Sequence, residues 1–531
     1  MSSERIYLYD TTLRDGAQTQ GVDFGVPDKL AIARELDLLG IDYVEGGWPG
    51  ANPTDDAFFA KLPKLSHARI AAFGMTRRSG RSAGNDPGLA AILGSNARVA
   101  CLVGKTWDFH AKVALGVTLD ENIAMIADSV RHAASTLDEV VFDAEHFFDG
   151  YKANPAFALK CIEAAHKAGA RWIVLCDTNG GTLPDEVERI VGVVAGLMPG
   201  GHVGIHTHND TENAVANSLA AVRAGARQVQ GTLNGLGERC GNANLVTLIP
   251  TLMLKMGYAT GVSEQGLARL THISRFLDER LNRAPDRHAA YVGESAFAHK
   301  GGLHVSAVEK DPKSYEHIDP ALVGNVRHIV VSDQAGRSNI LARLREIGVA
   351  IDAKHPKLDA LLDEVKAREF QGYAYDGAEA SFELLAQRTL GGVPDYFRVQ
   401  RYRVMDERRW NAKGDLVTVS EATVYGDVGG TAFTEVAESH DGPVDALATA
   451  LRKALVPAFP ELQNIRLSDY KVRILTPQAG TSAVTRVMIE SMDEGGAAWS
   501  TVGVSSDIIN ASYNALHDSL TYKLWRAGRR G

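Results

Sequence analysis

The chain has 531 residues, of which 45% are hydrophobic and 23% are charged, an ordinary composition for a globular protein of two or three domains. Its formal net charge of −9 provides no general basic surface, which argues against nucleic acid as a partner. Its four cysteines are too scattered for a disulfide framework or a zinc knuckle, and neither a signal peptide nor a membrane-spanning apolar run is recognisable. We therefore expect a cytoplasmic protein.

From Ile6 to about Gly257 one unit recurs, a short β-rich run followed by a polar loop and a helical pattern. The predicted strands are Ile6–Asp10, Tyr43–Glu45, Ile70–Phe73, Arg98–Val103, Glu139–Asp143, Trp172–Cys176, Val203–His206 and Gln228–Thr232. The predicted helices between them include Pro27–Leu39, Glu121–Ala134, Ala156–Ala168, Glu212–Ala224 and Ala243–Met256. This repetition predicts a (β/α)8 TIM barrel over residues 1–261. A doubly wound open sheet is the alternative, but the first strand is not followed by a dinucleotide glycine fingerprint.

The pattern changes after the barrel, and residues 262–395 are expected to form helical subdomains that contribute to the active site. Predicted helices here are Ser263–Leu281, Ser338–Ile347 and Leu358–Phe370. Between them, Phe297–Val305 is predicted to be a glycine-containing loop with two histidines. Gly391–Pro394 is typical of a linker.

Residues 396–531 contain an internal duplication. The stretch Gly429–Val436 matches Gly495–Val502 position for position, and each copy follows alternating strand patterns and precedes a helix. The duplication predicts a C-terminal α+β domain built from two βββα units. From the pattern alone, dimerisation and regulation are equally supported as its role.

Metal-capable residues follow several barrel strands, at the end where barrel enzymes place their chemistry. His206 and His208 are two residues apart, so an extended chain directs both to the same face. With a carboxylate from Asp15 they form a set that suits zinc, manganese, iron or cobalt, and Asn242 offers an additional oxygen.

Open coordination positions on such a metal suit the carboxylate and keto oxygens of a 2-keto acid. Arg14 could stabilise the alkoxide that develops, and Glu145 or a histidine could remove a proton from a second substrate. This chemistry indicates carbon–carbon bond formation or cleavage. The same residues also allow two other functions, a non-haem iron oxygenase and a metal-stabilised binding protein without turnover.

Four linked motifs resemble the signatures of the DRE-TIM metallolyases, and more narrowly those of the Claisen-condensing 2-isopropylmalate, homocitrate and citramalate synthases. They are Asp10–Gly16, Glu45, His206–Asp210 and Gly235–Ala243. The resemblance covers essentially the whole chain. Within the branch, the stretches Glu45–Pro53 and Arg239–Leu245 are similar to the citramalate synthase subgroup, whereas Ala17 stands where isopropylmalate synthases commonly carry Glu.

The resemblance implies condensation of acetyl-CoA with pyruvate to (R)-citramalate and CoA, on a route to isoleucine. The alternatives within the branch are a 2-isopropylmalate synthase, which uses 2-ketoisovalerate, and a homocitrate synthase. The resemblance further implies an amino-acid effector, most plausibly isoleucine, at the duplicated module of a homodimer. In each copy a strand ending in a small polar residue, Ser439 or Ser505, is soon followed by a helix. Helix N-termini with free backbone amides bind carboxylates, so the two copies are expected to provide paired sites for the effector.

The resemblance also implies roles for individual residues. Asp15, His206, His208 and, more weakly, Asn242 would bind a divalent ion (Mn, Zn, Co or Mg). Arg14 and Thr178 would bind the keto acid, with Glu45 orienting Arg14. Glu145, His304 and Tyr315 would transfer protons. Cys240 is expected to be a loop-packing residue rather than a catalyst.

Overall fold

The computed structural model describes residues 4–198, 200–329, 337–349, 351–352, 355–375 and 377–528. The chain divides into two compact units. The first comprises Met1–Phe297 and Ile318–Val326, and the second comprises Ala298–His317 and Arg327–Gly531. The three-part division inferred from the sequence stays a prediction.

The first unit is a closed barrel of eight parallel strands in sequential order, with β8 pairing back onto β1. The strands are β1 (Tyr7–Asp10), β2 (Tyr43–Gly47), β3 (Arg69–Met75), β4 (Val99–Lys105), β5 (Glu139–Glu145), β6 (Trp172–Asp177), β7 (Val203–Thr207) and β8 (Gln228–Gly231). The TIM-barrel prediction is confirmed, and all eight predicted strands are present.

Helices surround the barrel strands in alternation with them. They are α1 (Val26–Leu39), α2 (Pro53–Ala60), α3 (Pro87–Gly94), α4 (Asp108–Val113), α5 (Leu119–Ala134), α6 (Phe147–Ala153), α7 (Pro155–Lys167), α8 (Pro184–Leu197), α9 (Ala214–Arg223), α10 (Leu245–Pro250), α11 (Glu264–Leu267) and α12 (Leu270–Arg280). The predicted helix Ala243–Met256 is α10 continued by a π-helical turn over Thr251–Lys255, and the predicted helix Ser263–Leu281 is interrupted between α11 and α12.

The barrel has two separate apolar layers because successive side chains of a strand point to opposite faces. The outward-facing residues pack against the helices in the main core. The inward-facing residues form a second cluster that includes Tyr9, Val141 and the fully buried Trp172. The indole Nε1 of Trp172 donates to the hydroxyl of Tyr43 at 3.2 Å. The interior is therefore filled by side chains, which leaves the carboxyl ends of the strands as the place for a site.

The first part of the second unit is mainly helical. It contains a parallel pair of short strands, β9 (Ala298–His299) and β10 (His328–Ile329), with helices α13 (Gly302–Lys310), α14 (Arg337–Glu346), α15 (Lys357–Phe370) and α16 (Glu379–Leu390). The loop prediction for Phe297–Val305 is wrong, because this segment includes β9 and the first turns of α13. Val305 and Val308 are three residues apart and both buried, the spacing expected of a helix with one apolar face.

The rest of the second unit is the duplicated module. The first copy consists of β11 (Arg398–Trp410), β12 (Leu416–Val428), β13 (Thr431–Ser439) and α17 (Pro443–Leu455). The second consists of β14 (Arg466–Ile474), β15 (Thr485–Met492), β16 (Ala498–Ser505) and α18 (Ile508–Arg526). Each copy forms its own three-stranded antiparallel sheet, which confirms the prediction of two βββα units.

Helix α16 packs against the second copy although it precedes residue 396, where the module was predicted to begin. The hydroxyl of Ser381 accepts from the backbone N–H of Val502 at 3.0 Å. Arg388 donates to Asp518 at 2.8 Å. The glycine-rich segment after α16 begins with Gly391, whose positive φ of 87° ends the helix.

In the part of the chain that the structure describes, none of the helices is both long enough and apolar enough to cross a membrane.

Asp37, near the end of α1, holds the chain that enters β3. Its carboxylate accepts backbone hydrogen bonds from Ser66 at 2.9 Å and from His67 and Ala68 at 2.7 Å each. Burial opposes ionisation, but these hydrogen bonds lower the pKa of Asp37. We expect Asp37→Ala to reduce the free energy of unfolding of the barrel by about 1.5–3 kcal/mol, measured by urea denaturation at pH 7.

Since the pKa of Asp37 is lower in the folded state, its stabilising contribution should be complete above about pH 4 and should be lost as the pH falls further. The difference between wild type and Asp37→Ala should therefore shrink in acid. Glu188→Ala, on the exposed face of α8, is the control and should change stability by less than about 0.5 kcal/mol. Equal destabilisation by the two substitutions would contradict the assignment.

Candidate metal centre and active site

A carboxylate and two imidazoles meet at the carboxyl end of the barrel strands. Asp15 follows β1, His206 lies in β7 and His208 directly follows β7. The Nε2 atoms of His206 and His208 are 3.3 Å apart, and they lie 3.4 Å and 3.9 Å from Asp15 Oδ2. All three residues are buried, and among the described residues they form the one cluster of this kind that could hold a metal ion. The structure thus brings together the three predicted ligands.

Asn242, the predicted weaker ligand, lies beside this group. Its backbone pairs with that of His208, which brings the loop after β8 onto the end of β7. Its Nδ2 donates to Asp15 Oδ2 at 2.9 Å, while its Oδ1 is buried without a hydrogen-bond partner among the described residues. The two ends of an amide have nearly the same shape, so a turned amide would present Oδ1 to the centre instead. Two imidazole nitrogens, a carboxylate and an amide oxygen fit a divalent cation.

The electrostatics favour the ligating forms of two of these groups. Burial opposes ionisation of Asp15, but Arg14 and the histidines hold the pKa of its carboxyl well below the usual range. Burial, together with the nearby His206, lowers the pKa of His208 to about 3. Asp15 is therefore ionised and His208 neutral at neutral pH, as metal ligation requires. Burial lowers the pKa of His206, but Asp15 outweighs it and raises that pKa overall.

Arg14 is fixed beside the cluster by Glu45, as predicted. Its Nε donates to Glu45 Oε1 at 2.5 Å, and its guanidinium lies 3.9 Å from the ring centroid of Phe73. Glu45 is fully buried and also accepts from the hydroxyls of Tyr9 and Thr11, at 2.6 Å and 2.7 Å. These contacts orient Arg14 while leaving its charge beside Asp15, 3.6 Å away.

A cavity of about 260 Å³ opens onto this cluster. Its lining includes Arg14, Asp15, Trp48, Phe73, Met75, Val103, Lys105, Asp143, Glu145, Cys176, Thr178, His206, His208 and Arg239. Glu145 forms an ion pair with Lys105. The hydroxyl of Thr178 accepts from the backbone N–H of His146 at 2.8 Å, so its own proton is available to a ligand. The cavity has the size of a small-molecule site and contains opposite charges.

His304 and Tyr315 belong to the second unit. His304 lies on α13, Tyr315 follows a short 3-10 turn, and their ring centroids are 4.3 Å apart. The structure brings these two predicted residues together, and their part in proton transfer stays a prediction.

Sequence reasoning missed three polar residues of the barrel interior, Lys105, Asp143 and Gln230. Lys105 and Asp143 each follow an apolar run in their strands, and that contrast was the available signal, whereas Gln230 lies in the short strand β8 beside a second glutamine, Gln228. Burial raises the pKa of Asp143 to about 6, with His206 opposing and Glu45 adding to the shift. The packing interpretation of Cys240 is wrong, because this thiol is exposed at the loop after β8.

Family models match three consecutive parts of the chain. The HMGL-like model matches residues 5–274, and the homocitrate synthase post-HMGL domain-like model matches residues 291–371. The model of the LeuA allosteric (dimerisation) domain matches residues 376–524, a range that includes α16.

Full-length relatives narrow the family further. The chain is 51% identical to an (R)-citramalate synthase of Aquifex aeolicus, covering 100% of this chain and 99% of the relative. It is also 51% identical to an (R)-citramalate synthase of Geobacter sulfurreducens, covering 98% of each chain. A 2-isopropylmalate synthase of Methanocaldococcus jannaschii is more distant, 30% identical over 97% of this chain and 94% of the relative. The chain therefore belongs to the HMGL-like family and, within it, to the family of the (R)-citramalate synthases.

Proposed function

We propose that the protein catalyses a Claisen condensation of acetyl-CoA with pyruvate that gives (R)-citramalate and CoA. The observation that carries this proposal is the buried cluster of Asp15, His206 and His208 beside Arg14, at the carboxyl end of the barrel. The identity to (R)-citramalate synthases over the full length supports the same reaction. The product would serve isoleucine synthesis, and four free cysteines fit a reducing cytoplasm.

Asp15, His206 and His208, with Asn242 as a weaker ligand, would hold a divalent ion such as Mn, Zn, Co or Mg. When bound there, such an ion supplies Lewis-acid polarisation of a keto group. Mixed nitrogen and oxygen ligands of this kind suit each of several divalent metals.

The keto acid would be oriented by Arg14 and Thr178. The guanidinium of Arg14 is held by Glu45 and offers its remaining N–H groups to the cavity, where they can stabilise negative charge on oxygen. The free hydroxyl proton of Thr178 can be donated to the substrate carboxylate. These two contacts would place the keto carbon for attack from the open side of the cavity.

Proton transfer would begin at Glu145, which faces the cavity and is paired with Lys105. Its carboxylate would remove a proton from the methyl group of acetyl-CoA, and the resulting carbanion would form the new bond to the keto carbon. The alkoxide would then take a proton, and water would hydrolyse the thioester to release CoA. We propose His304 and Tyr315 for these later transfers, as the family resemblance implies.

We further propose that the protein is a homodimer regulated by isoleucine at the duplicated module, which the match to the LeuA allosteric (dimerisation) domain supports. The two copies differ at the helix ends that the sequence suggested as carboxylate sites. In α18 the side chain of Asp507 already accepts from the backbone N–H groups of Ile509 and Asn510, at 2.8 Å and 3.4 Å. The expectation of free backbone amides at both helix N-termini is therefore wrong for α18. α17 begins at Pro443 after Gly442 without a side-chain cap.

The role of the metal ligands can be tested by substitution. His206→Ala or His208→Ala should lower turnover by more than about 100-fold, because each removes one of three predicted ligands. Release of CoA from acetyl-CoA with pyruvate measures turnover, and circular dichroism shows that the variants fold. His132→Ala, on the outer helix α5, is the matched control and should keep wild-type activity. Full activity after complete chelation would contradict the metal proposal, and dioxygen consumption without CoA release would favour an oxygenase.

The choice of keto acid can be tested by comparing substrates. The wall formed by Trp48 and Phe73, whose rings meet edge to face at 5.5 Å, limits the space beside Arg14. We expect the highest kcat/KM for pyruvate and a lower value for 2-ketobutyrate, since one methylene changes transition-state binding by about 1–3 kcal/mol. 2-Ketoisovalerate and 2-oxoglutarate should be poorer still. A higher kcat/KM for 2-ketoisovalerate would make the protein a 2-isopropylmalate synthase instead.

The proposed regulation can be tested by truncation and by isoleucine binding. Isoleucine should inhibit the full chain by binding its less active state more tightly than its active state. A chain ending at residue 375 removes the module together with α16, which packs on it, and should lose this inhibition. Calorimetric titration of the full chain with isoleucine, with valine and leucine as controls, measures binding independently of the truncation. Equal inhibition of both chains would place the effector elsewhere and leave the module a dimerisation role.

A further inference from the structure

A buried chain of hydrogen bonds links β5, β8 and β7 beside the metal centre. Asp143 Oδ1 accepts from Gln230 Nε2 at 3.0 Å, and Gln230 Oε1 lies 2.8 Å from His206 Nδ1. We infer that Gln230, held by Asp143, is a positioning residue that sets the ring orientation and tautomer of His206 for ligation through Nε2. This inference rests on the metal site proposed above.

The acceptors in this row of hydrogen bonds decide which end of the Gln230 amide donates. An ionised carboxylate can only accept, so Asp143 requires the NH2 end of the Gln230 amide. Turning the amide would place its oxygen against the Asp143 carboxylate oxygen and leave that buried acceptor without its donor, which is costly. The carbonyl end of Gln230 therefore faces His206.

This orientation decides where His206 carries its proton. Because Gln230 Oε1 can only accept, His206 Nδ1 must donate, and in the neutral ring Nε2 then holds the lone pair. That Nε2 faces Asp15 Oδ2 at 3.4 Å and His208 Nε2 at 3.3 Å. A histidine ligand whose other ring nitrogen donates to a fixed acceptor is a recurring arrangement in metal sites.

Burial strengthens the control of Gln230 over the orientation and tautomer of His206. Asp143, Gln230 and His206 have exposed fractions of 3%, 1% and 5%, so each depends mainly on its protein partners for hydrogen bonds. His208 provides a contrast within the same cluster, because its Nδ1 is buried without a hydrogen-bond partner among the described residues. The two imidazoles are therefore unequal, and His206 is the one that is set before an ion binds.

The test is calorimetric titration of the chelator-treated full chain with Co²⁺ at pH 8, where Asp143 is ionised. Gln230→Met removes the acceptor while keeping the volume of the side chain, and should weaken Co²⁺ affinity by about 10–100-fold. Gln228→Met is the matched control, since Gln228 is also buried and lies two residues away on the same face of β8, while its Oε1 is 3.5 Å from Gln230 Nε2, too far for a strong hydrogen bond. It should bind Co²⁺ as wild type does.

Two substitutions at Asp143 test the same hydrogen bond from its other end, so that the result does not depend on Gln230→Met alone. Asp143→Asn can still accept from Gln230 and should retain Co²⁺ affinity, whereas Asp143→Leu cannot and should weaken it. Thermal melting identifies a variant that fails to fold. If this happens at one of the two positions, Gln230 or Asp143, the variants at the other position are compared. Equal affinity of Gln230→Met and Gln228→Met, or of Asp143→Leu and Asp143→Asn, would overturn the inference.

His206→Ala separates this inference from the proposed function. If His206→Ala abolishes Co²⁺ binding while Gln230→Met binds normally, the positioning role fails and the metal site stands. If His206→Ala binds Co²⁺ as wild type does, the metal site fails and the positioning role fails with it.

Discussion

A row of alternating charges crosses the carboxyl end of the barrel, from Glu45 through Arg14 to Asp15, which lies beside the imidazole of His206. Burying any one of these charges alone would be costly, and each is tolerated because the next neutralises it. Glu45 is fully buried and satisfied by three donors, so Arg14 cannot turn away from the cavity without leaving that carboxylate unpaired. The position of Asp15, and with it the geometry of the metal centre, depends on this row.

The barrel could be predicted because its information is local. Strand and helix patterns alternate along the chain, and the two-residue spacing of His206 and His208 specifies a shared face without knowledge of the fold. The lengths of the strands were predicted less accurately. β5 extends to Glu145 and β6 to Asp177, beyond the predicted ends, because pairing with neighbouring strands continues past the apolar run. In the duplicated module, the matching Gly-Gly segments located the third strand of each copy.

Partnerships between distant residues could not be predicted in the same way. Glu145 and Lys105 are 40 residues apart, and Gln230 and Asp143 are 87 apart, so their contacts exist only after barrel closure. Helix α13 was mistaken for a loop because Gly301 and Gly302 outweighed the apolar spacing of Val305 and Val308. The cap at α18 was missed because Asp507 was not distinguished from an ordinary loop residue, although it occupies the N-cap position.

The central claim is that Asp15, His206 and His208 hold a catalytic metal ion. The most direct measurement is a crystal structure of the protein with Mn²⁺ and pyruvate, with anomalous scattering used to locate the ion. The account predicts one anomalous peak at about 2.0–2.3 Å from Asp15 Oδ2 and from the Nε2 atoms of both histidines, with pyruvate between that peak and Arg14. A peak at another place, or pyruvate bound away from Arg14 with these three side chains unoccupied, would contradict it.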